Sequence, residues 1–365
     1  MQERKIDFWQ KNRITVLLFG YHLVFIAMAY FLRVKRGMSD AHLYWGEKID
    51  ITQYDWFDFA SYGTDFMLFL NYPLIKLGFP FWSGFLIYGI IGFYGIMKWM
   101  QWTAVVLGRT FMVKGINILP FFFFLPNFHV WTAVLGKEAL VFWGIASVFY
   151  AFAVKKYKSF SAIAGILIVL IIRPHVALML LSSFVIVLFF NSGYSLRKRL
   201  AIATVLSLVL ATLVYMVLQL SQIRYWNWAR IKRYNDFSIL SFENSGSYVP
   251  MLEYNYGYKL FSFNFRPLFY DAKSFMHYLA SLENGLILLL SVITLFFLGK
   301  YYRNMIFPSW VKIVFLLTAI SSLLFVQRYA NLGIFMRTKM MFQPFLLIAI
   351  LFIIRQGLAL RNSKS

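Results

Sequence analysis

The sequence has no cysteine, and only 14 of its 365 residues are aspartate or glutamate. The lack of cysteine excludes disulfide bonds, thiolate metal sites and a cysteine nucleophile. Three catalytic patterns are also absent: an HExxH zinc pair, a GxSxG nucleophile elbow and a GxxxxGK[ST] phosphate loop. The sequence therefore predicts no cofactor and no ATP hydrolysis, although a divalent metal ion bound by carboxylates stays open.

Apolar residues dominate what is present. Hydrophobic residues make up 61% of the chain, and several apolar runs are long enough to cross a hydrocarbon core as helices. Because lipid offers no partner to backbone N–H and C=O groups, repeated runs of this kind form helical bundles. We predict an all-α, polytopic integral membrane bundle, with residues 1–365 as a single transmembrane domain. The first run, Ile14 to Leu32, precedes RVKRGMSD rather than a small-residue cleavage site, which predicts a retained helix.

The formal net charge of +22 has two interpretations. A basic chain can bind nucleic acid, but basic clusters beside apolar runs mark the cytoplasmic ends of membrane helices. Both termini, KKYK (155–158) and RKR (197–199) are of this kind, which predicts cytoplasmic termini and no nucleic-acid partner. Most acids then fall in two outer segments, 33–65 and a large loop at 223–282. About ten segments cross or enter the membrane, near 13–32, 66–99 (broken), 116–134, 138–154, 160–172, 175–191, 200–221, 284–299, 309–326 and 340–354.

The run IVLIIRPHVALML, at 168–180, places Arg173 and His175 within apolar sequence. Because the basic clusters on both sides are cytoplasmic, the chain must go out and return. The two halves, of about 13 and 16 residues, reach only roughly 20 and 24 Å, less than the ~30 Å core. Pro174 disfavours helix in the preceding residue, which suits a turn. We predict a short hairpin whose tip is an outward-facing anion site; in the alternative, Arg173 only holds the carbonyls of the turn.

Two further groups of polar residues fall on the predicted outer side. Asp40, Tyr44 and Glu47 have helical spacing and share a predicted face, so a carboxylate there can act as general base or bind a metal. In LPNFHVWTAVLGKEAL, at 125–140, a helix begins that suits phosphate binding. The alternatives are an ordinary polar loop, a lysine that reaches the interface and a glutamate that caps the helix. The candidates in this second group are His129, Lys137 and Glu138.

The loop 223–282 and the segment QRYANLGIFMRTKMM, at 327–341, combine arginines with aromatic residues. Arginine forks bind phosphate, and aromatic rings stack on sugar faces, although aromatic rings also form the interfacial belts of membrane proteins. The triplet at 331–333 is predicted to be a turn, after which the last arginine starts the last helix and points into the bundle. The arginines concerned are Arg224, Arg266, Arg328 and Arg337.

Five stretches together resemble the EpsG/Wzy-type bacterial polysaccharide polymerases and related polytopic glycosyltransferases of GT-C-like type. They are SDAHLY, LPNFHVWTAVLGKEAL, IIRPHVAL, FNFRPLFYDAKSF and NLGIFMRTKM. The resemblance implies an enzyme of the bacterial cytoplasmic membrane that joins polyprenyl-(pyro)phosphate-linked sugar units on the outer face. Its products are exopolysaccharide, capsule or O-antigen, and its partners are the lipid-linked glycan, membrane lipids and other polysaccharide-assembly proteins.

The resemblance also implies roles for residues. Asp40 deprotonates the acceptor hydroxyl, with Glu47 and Glu138 as alternatives, and a set of cations holds the leaving pyrophosphate. Two other function classes stay open: a flippase for lipid-linked glycans, and a membrane O-acyltransferase that uses His129 or His175. The cations concerned are Lys137, Arg173, Arg266 and Arg337.

Overall fold

The computed structural model describes residues 8–37, 39–47, 50–190, 193, 195–220 and 227–363. Helices make up nearly all the regular structure of this part of the chain, and its strands form one short hairpin. The all-α prediction is therefore confirmed. The chain divides into two compact units, which we call unit 1 (Met1–Ile172) and unit 2 (Arg173–Ser365).

Unit 1 contains eight of the helices in the described residues and the β-hairpin. Two 3-10 turns, Ile51–Gln53 and Trp56–Phe59, lie between the second and third helices. The elements are α1 (Phe8–Arg36), α2 (Asp40–Tyr44), α3 (Thr64–Lys76), α4 (Phe81–Val106), β1 (Met112–Val113), β2 (Ile116–Asn117), α5 (Leu119–Phe123), α6 (Pro126–Thr132), α7 (Lys137–Ala153) and α8 (Phe160–Ile172).

Helix α4 lies between α1 and α7, and α7 packs against α8. Aromatic contacts show the relative directions of these helices. The ring of Tyr30, near the end of α1, contacts Phe85 near the start of α4, so these helices are antiparallel. The pair Trp102–Phe149 joins the later turns of α4 and α7, which run parallel. The end of α1 and the starts of α4 and α7 therefore lie at the same end of unit 1.

Unit 2 contains the remaining eight helices of the described residues. Helix α9 packs on α10 and α14, while α16 packs on α13 and α14. Two 3-10 turns, Phe269–Asp271 and Tyr302–Asn304, flank α13. The helices are α9 (Pro174–Phe189), α10 (Leu196–Leu220), α11 (Trp228–Leu240), α12 (Tyr256–Phe265), α13 (Phe275–Tyr301), α14 (Ser309–Phe325), α15 (Leu332–Lys339) and α16 (Gln343–Asn362).

Four helices within the described residues are long and apolar enough to cross a membrane. Three further apolar helices are shorter, namely α8, α9 and α14. The lengths and composition of these helices indicate a membrane protein. They do not confirm the predicted total of about ten crossings. The four long segments are Arg13–Lys35, Phe81–Val106, Phe275–Asn304 and Gln343–Asn362.

Proline positions explain where the predicted segments agree with the structure and where they fail. The predicted break in 66–99 is confirmed, since α3 ends at Lys76 and α4 begins after Pro80. The break at Arg173 is also confirmed, because α9 begins at Pro174. The predicted segment 116–134 is wrong as a single helix, since prolines start both α5 and α6 and interrupt it.

The end of the chain requires a second correction. Arg337 is predicted to start the last helix, but it lies within α15, and the last helix begins only at Gln343. The predicted turn at 331–333 is a helix start instead, because the Asn331 side chain accepts a hydrogen bond from the Ile334 N–H (3.1 Å). Asparagine at this position is a favourable N-cap.

Candidate functional site

Lys137, the first residue of α7, lies where several helix ends of unit 1 meet. Its ammonium group donates a hydrogen bond to Thr64 Oγ1 (3.0 Å), and Thr64 is the first residue of α3. The same ammonium lies 5.6 Å from the ring centroid of Tyr44, at the end of α2. The Gly63 N–H donates to the carbonyl of Ile171 in the last turn of α8 (2.9 Å). Lys137 and Tyr44, predicted from separate motifs, are therefore brought together.

The electrostatics around Lys137 favour an anion. A lysine in the first turn faces the positive end of the helix dipole, which is unfavourable for a cation. Glu138 in the same turn offsets part of this cost, and a bound anion would offset more of it. The starts of α3 and α7 also carry backbone N–H groups without intrahelical partners, and such groups bind phosphate. Gly63 has a φ of +72°, so a residue with a side chain would be strained there. The arrangement suits a phosphate or a pyrophosphate.

The three acids predicted as candidate bases lie in different surroundings. Asp40 is exposed and starts α2, four residues before Tyr44. Glu138 is buried in the first turn of α7. Glu47 lies beyond the end of α2, with its Oε2 3.6 Å from His42 Nε2. The predicted common face therefore holds for Asp40 and Tyr44 and is wrong for Glu47, because the helix ends before reaching it.

His129 lies inside unit 1 rather than beside Lys137. Its Nδ1 is 3.0 Å from the Nδ1 of His22 in α1, and its Nε2 is 2.8 Å from the carbonyl oxygen of Phe123. Both histidines are fully buried. Both ring nitrogens of His129 therefore already have partners within the protein. Its predicted role in holding a phosphate stays a prediction.

Arg266 holds a compact polar loop in unit 2, directly after α12. Its Nε donates to Asp271 Oδ2 (3.0 Å) and its Nη2 donates to Asp271 Oδ1, which makes the pair bidentate. Its Nη1 donates to the Tyr254 hydroxyl (3.3 Å), and the Leu268 N–H donates to Asp271 Oδ2 (2.9 Å). The guanidinium predicted to hold a phosphate is thus engaged, so a phosphate at Arg266 has to compete with Asp271.

The Arg266–Asp271 pair makes unit 2 sensitive to acid. Burial of the Asp271 carboxyl acts to raise its pKa, but hydrogen bonds from Arg266 and the Leu268 N–H outweigh burial and hold the pKa below its usual value of about 3.9. The folded state therefore binds this proton less readily than the unfolded state does. The stabilisation is present above about pH 4 and is lost as the pH falls through the lowered pKa.

We expect Asp271→Asn to remove this part of the acid sensitivity. The variant is expected to be less stable than the parent at pH 7, with a difference that narrows below about pH 4. Thermal unfolding in detergent micelles at a series of pH values measures this difference. Glu253→Gln is the control, because Glu253 is an exposed acid of the same unit. If the stability difference from the parent decreased equally for both variants at low pH, the role given to Asp271 would be contradicted.

A buried lysine in α15 supports the same loop. The Lys339 ammonium has no exposed surface and donates to the carbonyl oxygens of Asn264 (3.1 Å) and Arg266 (3.0 Å), and to Asn284 Oδ1 (3.1 Å). Asn284 Nδ2 in turn donates to the carbonyl oxygen of Pro267 (2.9 Å). A lysine has three N–H donors, and here each donor has an acceptor. Lys339 and Asn284 together therefore fix the backbone on both sides of the Arg266–Pro267 peptide.

Arg173 and His175 lie near residues that pack against α12 and follow α15. Arg173 is buried, and its Nη1 lies 3.9 Å from Met341 Sδ. The His175 ring packs edge-on against Phe325 (centroids 6.0 Å), and Phe325 also contacts Phe263 in α12 (5.9 Å). The structure thus brings both predicted residues to the elements that support the Arg266 loop.

The other predicted arginines have separate surroundings. The Arg328 guanidinium lies 4.2 Å from the ring centroid of Tyr234 in α11, which is a cation–π contact. Arg337 is half-buried in α15, two residues before Lys339. Arg224 lies outside the described residues.

Sequence reasoning missed several residues of these sites. Asp271 lies five residues after Arg266 in a stretch already singled out, so an arginine–carboxylate pair was detectable. Lys339 follows Phe335 by four residues, and both are buried on one face of α15. That spacing indicates that the two residues share a helix face. Until the buried face is known, however, Arg337 is an equally good candidate for the buried cation. Thr64 and Asn284 gave no signal, because hydroxyl and amide side chains are common at helix ends.

The fold and the two polar clusters define a helical protein with membrane-spanning character. One cluster surrounds Lys137 in unit 1, and the other joins Arg266 and Lys339 in unit 2. No protein-family model, no curated protein and no solved structure matches the chain.

Proposed function

We propose that this protein is a polysaccharide-polymerase-type glycosyltransferase of the bacterial cytoplasmic (inner) membrane, which it crosses about ten times with both termini inside. It joins polyprenyl-(pyro)phosphate-linked sugars or oligosaccharides on the outer face, for exopolysaccharide, capsule or O-antigen synthesis. The observation that carries the proposal is the meeting of Lys137, Tyr44 and Thr64 at the end of unit 1 that also holds Asp40. An anion site and an acid at one end of a membrane protein suit this chemistry.

Transfer from a lipid-linked donor requires a base and an anion site. The base accepts the proton of the acceptor hydroxyl as its oxygen attacks the anomeric carbon. The anomeric C–O bond breaks, and the lipid pyrophosphate leaves with the bonding electron pair. Negative charge builds on the leaving oxygen, so a preorganised cation lowers the barrier. Because the lipid pyrophosphate carries the activation, no nucleotide-binding loop is required.

Roles follow from the geometry. Asp40 is the proposed base, because it is exposed to an incoming acceptor and lies one helical turn from Tyr44. Glu138 and Glu47 are the alternatives. Lys137 is the principal proposed ligand of the leaving phosphate. Arg173, Arg266, Arg328 and Arg337 lie in unit 2, and their predicted role as anion ligands is not used in this assignment.

We expect Lys137→Met to lower long-chain polymer at least 100-fold in cells at unchanged protein level, because removing a single preorganised donor from a charge-stabilising site costs about 10²–10³ in rate. Polymer length on gels and protein level by immunoblot measure the effect. Lys76→Met is the matched control. Lys76 also donates to a hydroxyl, that of Tyr72 (3.1 Å), and lies over the Tyr72 ring, but at the opposite end of α3. Normal polymer from Lys137→Met would contradict the proposal.

Mass spectrometry of the lipid-linked glycans that accumulate after gene deletion separates the related functions. A polymerase leaves single repeat units on the outer leaflet, and a monosaccharide transferase leaves carriers that lack one sugar. A flippase leaves complete carriers on the inner leaflet. Polymer of normal length that lacks only acyl groups indicates an O-acyltransferase.

A further inference from the structure

Residues 50–65, which follow α2 and end in the first turn of α3, carry exposed aromatic rings among acids. Trp56 is 39% exposed, Phe57 is 72% exposed and Tyr54 is 50% exposed. The segment contains no lysine or arginine, and its four acids are Asp50, Asp55, Asp58 and Asp65. We call it the acidic aromatic segment.

The acidic aromatic segment is held firmly against α3. The Trp56 indole N–H donates to the carbonyl oxygen of Phe69 (2.8 Å), and the two rings stack at 5.1 Å with an interplanar angle of 19°. The Tyr72 hydroxyl donates to the carbonyl oxygen of Tyr54 (2.8 Å). These contacts fix one face of the Trp56 ring against Phe69. The exposed part of the ring is therefore a preorganised surface rather than a loose side chain.

The charge of the segment decides what covers this surface. Segments that lie on membranes combine aromatic rings with lysine and arginine, because phospholipid surfaces are anionic. The segment itself has acids among its rings and no lysine or arginine, so it does not attract an anionic lipid surface. The nearby lysines, Lys76 and Lys137, donate to the Tyr72 hydroxyl and to Thr64. A sugar ring fits both features. Its apolar C–H face packs on an aromatic ring, and its hydroxyl groups donate to carboxylates.

The acids of the segment are not equivalent. Asp50 accepts hydrogen bonds from the N–H and hydroxyl of Thr52, and Asp58 accepts one from the Asp55 N–H (3.0 Å). The hydrogen bonds from Thr52 also hold the pKa of Asp50 below its usual value, so it stays ionised. Asp50 and Asp58 thus shape the segment. Asp55 also caps the Trp56–Phe59 turn by accepting from the Asp58 N–H, but it is exposed, and a carboxylate has lone pairs left for a ligand.

We propose that the acidic aromatic segment is a binding subsite for the glycan of the acceptor, with a neutral sugar ring on Trp56 and its hydroxyl groups on Asp55. This inference rests on the proposed function. Helix α3 links the subsite to the phosphate site, because Thr64 contacts Lys137 and Phe69 lies under Trp56. The two residues are about 7.5 Å apart along the helix axis, a distance that one or two sugar units span. The subsite therefore guides the growing chain past the reacting end.

Binding is tested on the full chain labelled with 5-fluorotryptophan in nanodiscs, with the Trp56 signal assigned from Trp56→Phe. The probe is the soluble oligosaccharide released by mild acid from the carriers that accumulate in the deletion strain. We expect the probe to shift the Trp56 signal and to leave that of Trp82 unchanged, a comparably exposed tryptophan at the start of α4. The subsite would be overturned if the probe left the Trp56 signal unchanged. It would also be overturned if the signal shifted instead when phosphatidylglycerol replaced neutral lipid.

Kinetics supply the second arm. We expect Trp56→Ala to raise the KM for the acceptor about tenfold, which corresponds to about 1.4 kcal/mol, with kcat nearly unchanged, because the ring that the sugar packs on is removed. Trp56→Phe keeps a flat ring and is expected to restore most of the loss, while Trp82→Ala should have no effect. A fall in kcat without a change in KM would overturn the subsite. If Trp56→Ala is normal and Lys137→Met is inactive, the subsite alone fails; if both are normal, the proposed function fails.

Discussion

Replacing Lys339 by methionine is expected to destabilise unit 2 by about 3 kcal/mol and to abolish any activity that depends on the Arg266 loop. The substitution keeps the length of the side chain but removes three donors. The carbonyl oxygens of Asn264 and Arg266 and the Asn284 side-chain oxygen then lose a buried partner. The neighbouring acid Glu283 is also buried and would lose the cation whose charge acts on it. Unfolding in detergent micelles measures the loss.

Two comparisons make this result specific. Lys312→Met introduces the same side chain at an exposed position of α14 and is expected to change the stability by less than about 0.5 kcal/mol. Adding Glu283→Gln to Lys339→Met removes the buried carboxylate that has lost the neighbouring Lys339 charge. The double variant should therefore lose less stability than the two single variants lose together. Equal stability of Lys339→Met and Lys312→Met would show that the hydrogen bonds of Lys339 do not hold the loop.

Gly144→Ala is expected to destabilise unit 1 by about 2 kcal/mol, and Gly144→Leu by more. Helices α7 and α8 pack so closely here that a Cβ on Gly144 would lie 2.6 Å from the carbonyl oxygen of Gly165 and 2.7 Å from Val169 Cγ2. Since the nearest atom belongs to the backbone, the helices have to separate. Small residues at such contacts are how helices associate in lipid. The fraction of monodisperse protein after heating in detergent measures the effect.

Gly20→Ala is the matched control for this prediction. Gly20 is also a helical glycine of unit 1, but a Cβ there meets nothing within 4 Å. Because alanine has a higher helix propensity than glycine, the Gly20→Ala variant is expected to be as stable as the parent or up to about 1 kcal/mol more stable. A loss at Gly20 equal to that at Gly144 would mean that general glycine effects, rather than the α7–α8 contact, decide the result.

Local chemistry made part of the candidate site predictable. Lys137 and Glu138 were expected to start a helix, and α7 begins at Lys137. Arg173 was expected at a break before Pro174, and the backbone leaves the helix there because proline restricts the residue before it. These features depend on a few neighbouring residues, so a single sequence carries them.

Other parts of the site could not be predicted, because they depend on which helix faces touch. Nothing near Thr64 in the sequence indicates Lys137, 73 residues away. Helix α15 contains two basic residues, Arg337 and Lys339, and only its contacts with α12 and with Asn284 of α13 decide that Lys339 is the buried one. The sequence also predicted one membrane segment over 116–134, which the structure divides into α5 and α6, each with a proline in its first turn.

By itself, the sequence determined the class of structure: a helical protein with apolar segments of membrane-spanning length, no thiol chemistry and most of its acids in two polar segments. Hydrophobic length and backbone hydrogen bonding impose that outcome wherever each helix packs. Only the tertiary structure decided which polar residues meet, because a hydrogen bond between distant residues requires both helices to present the right face at the right height. Lys137 with Tyr44 and Thr64, Lys339 beneath the Arg266 loop, and Trp56 on Phe69 are all products of that packing.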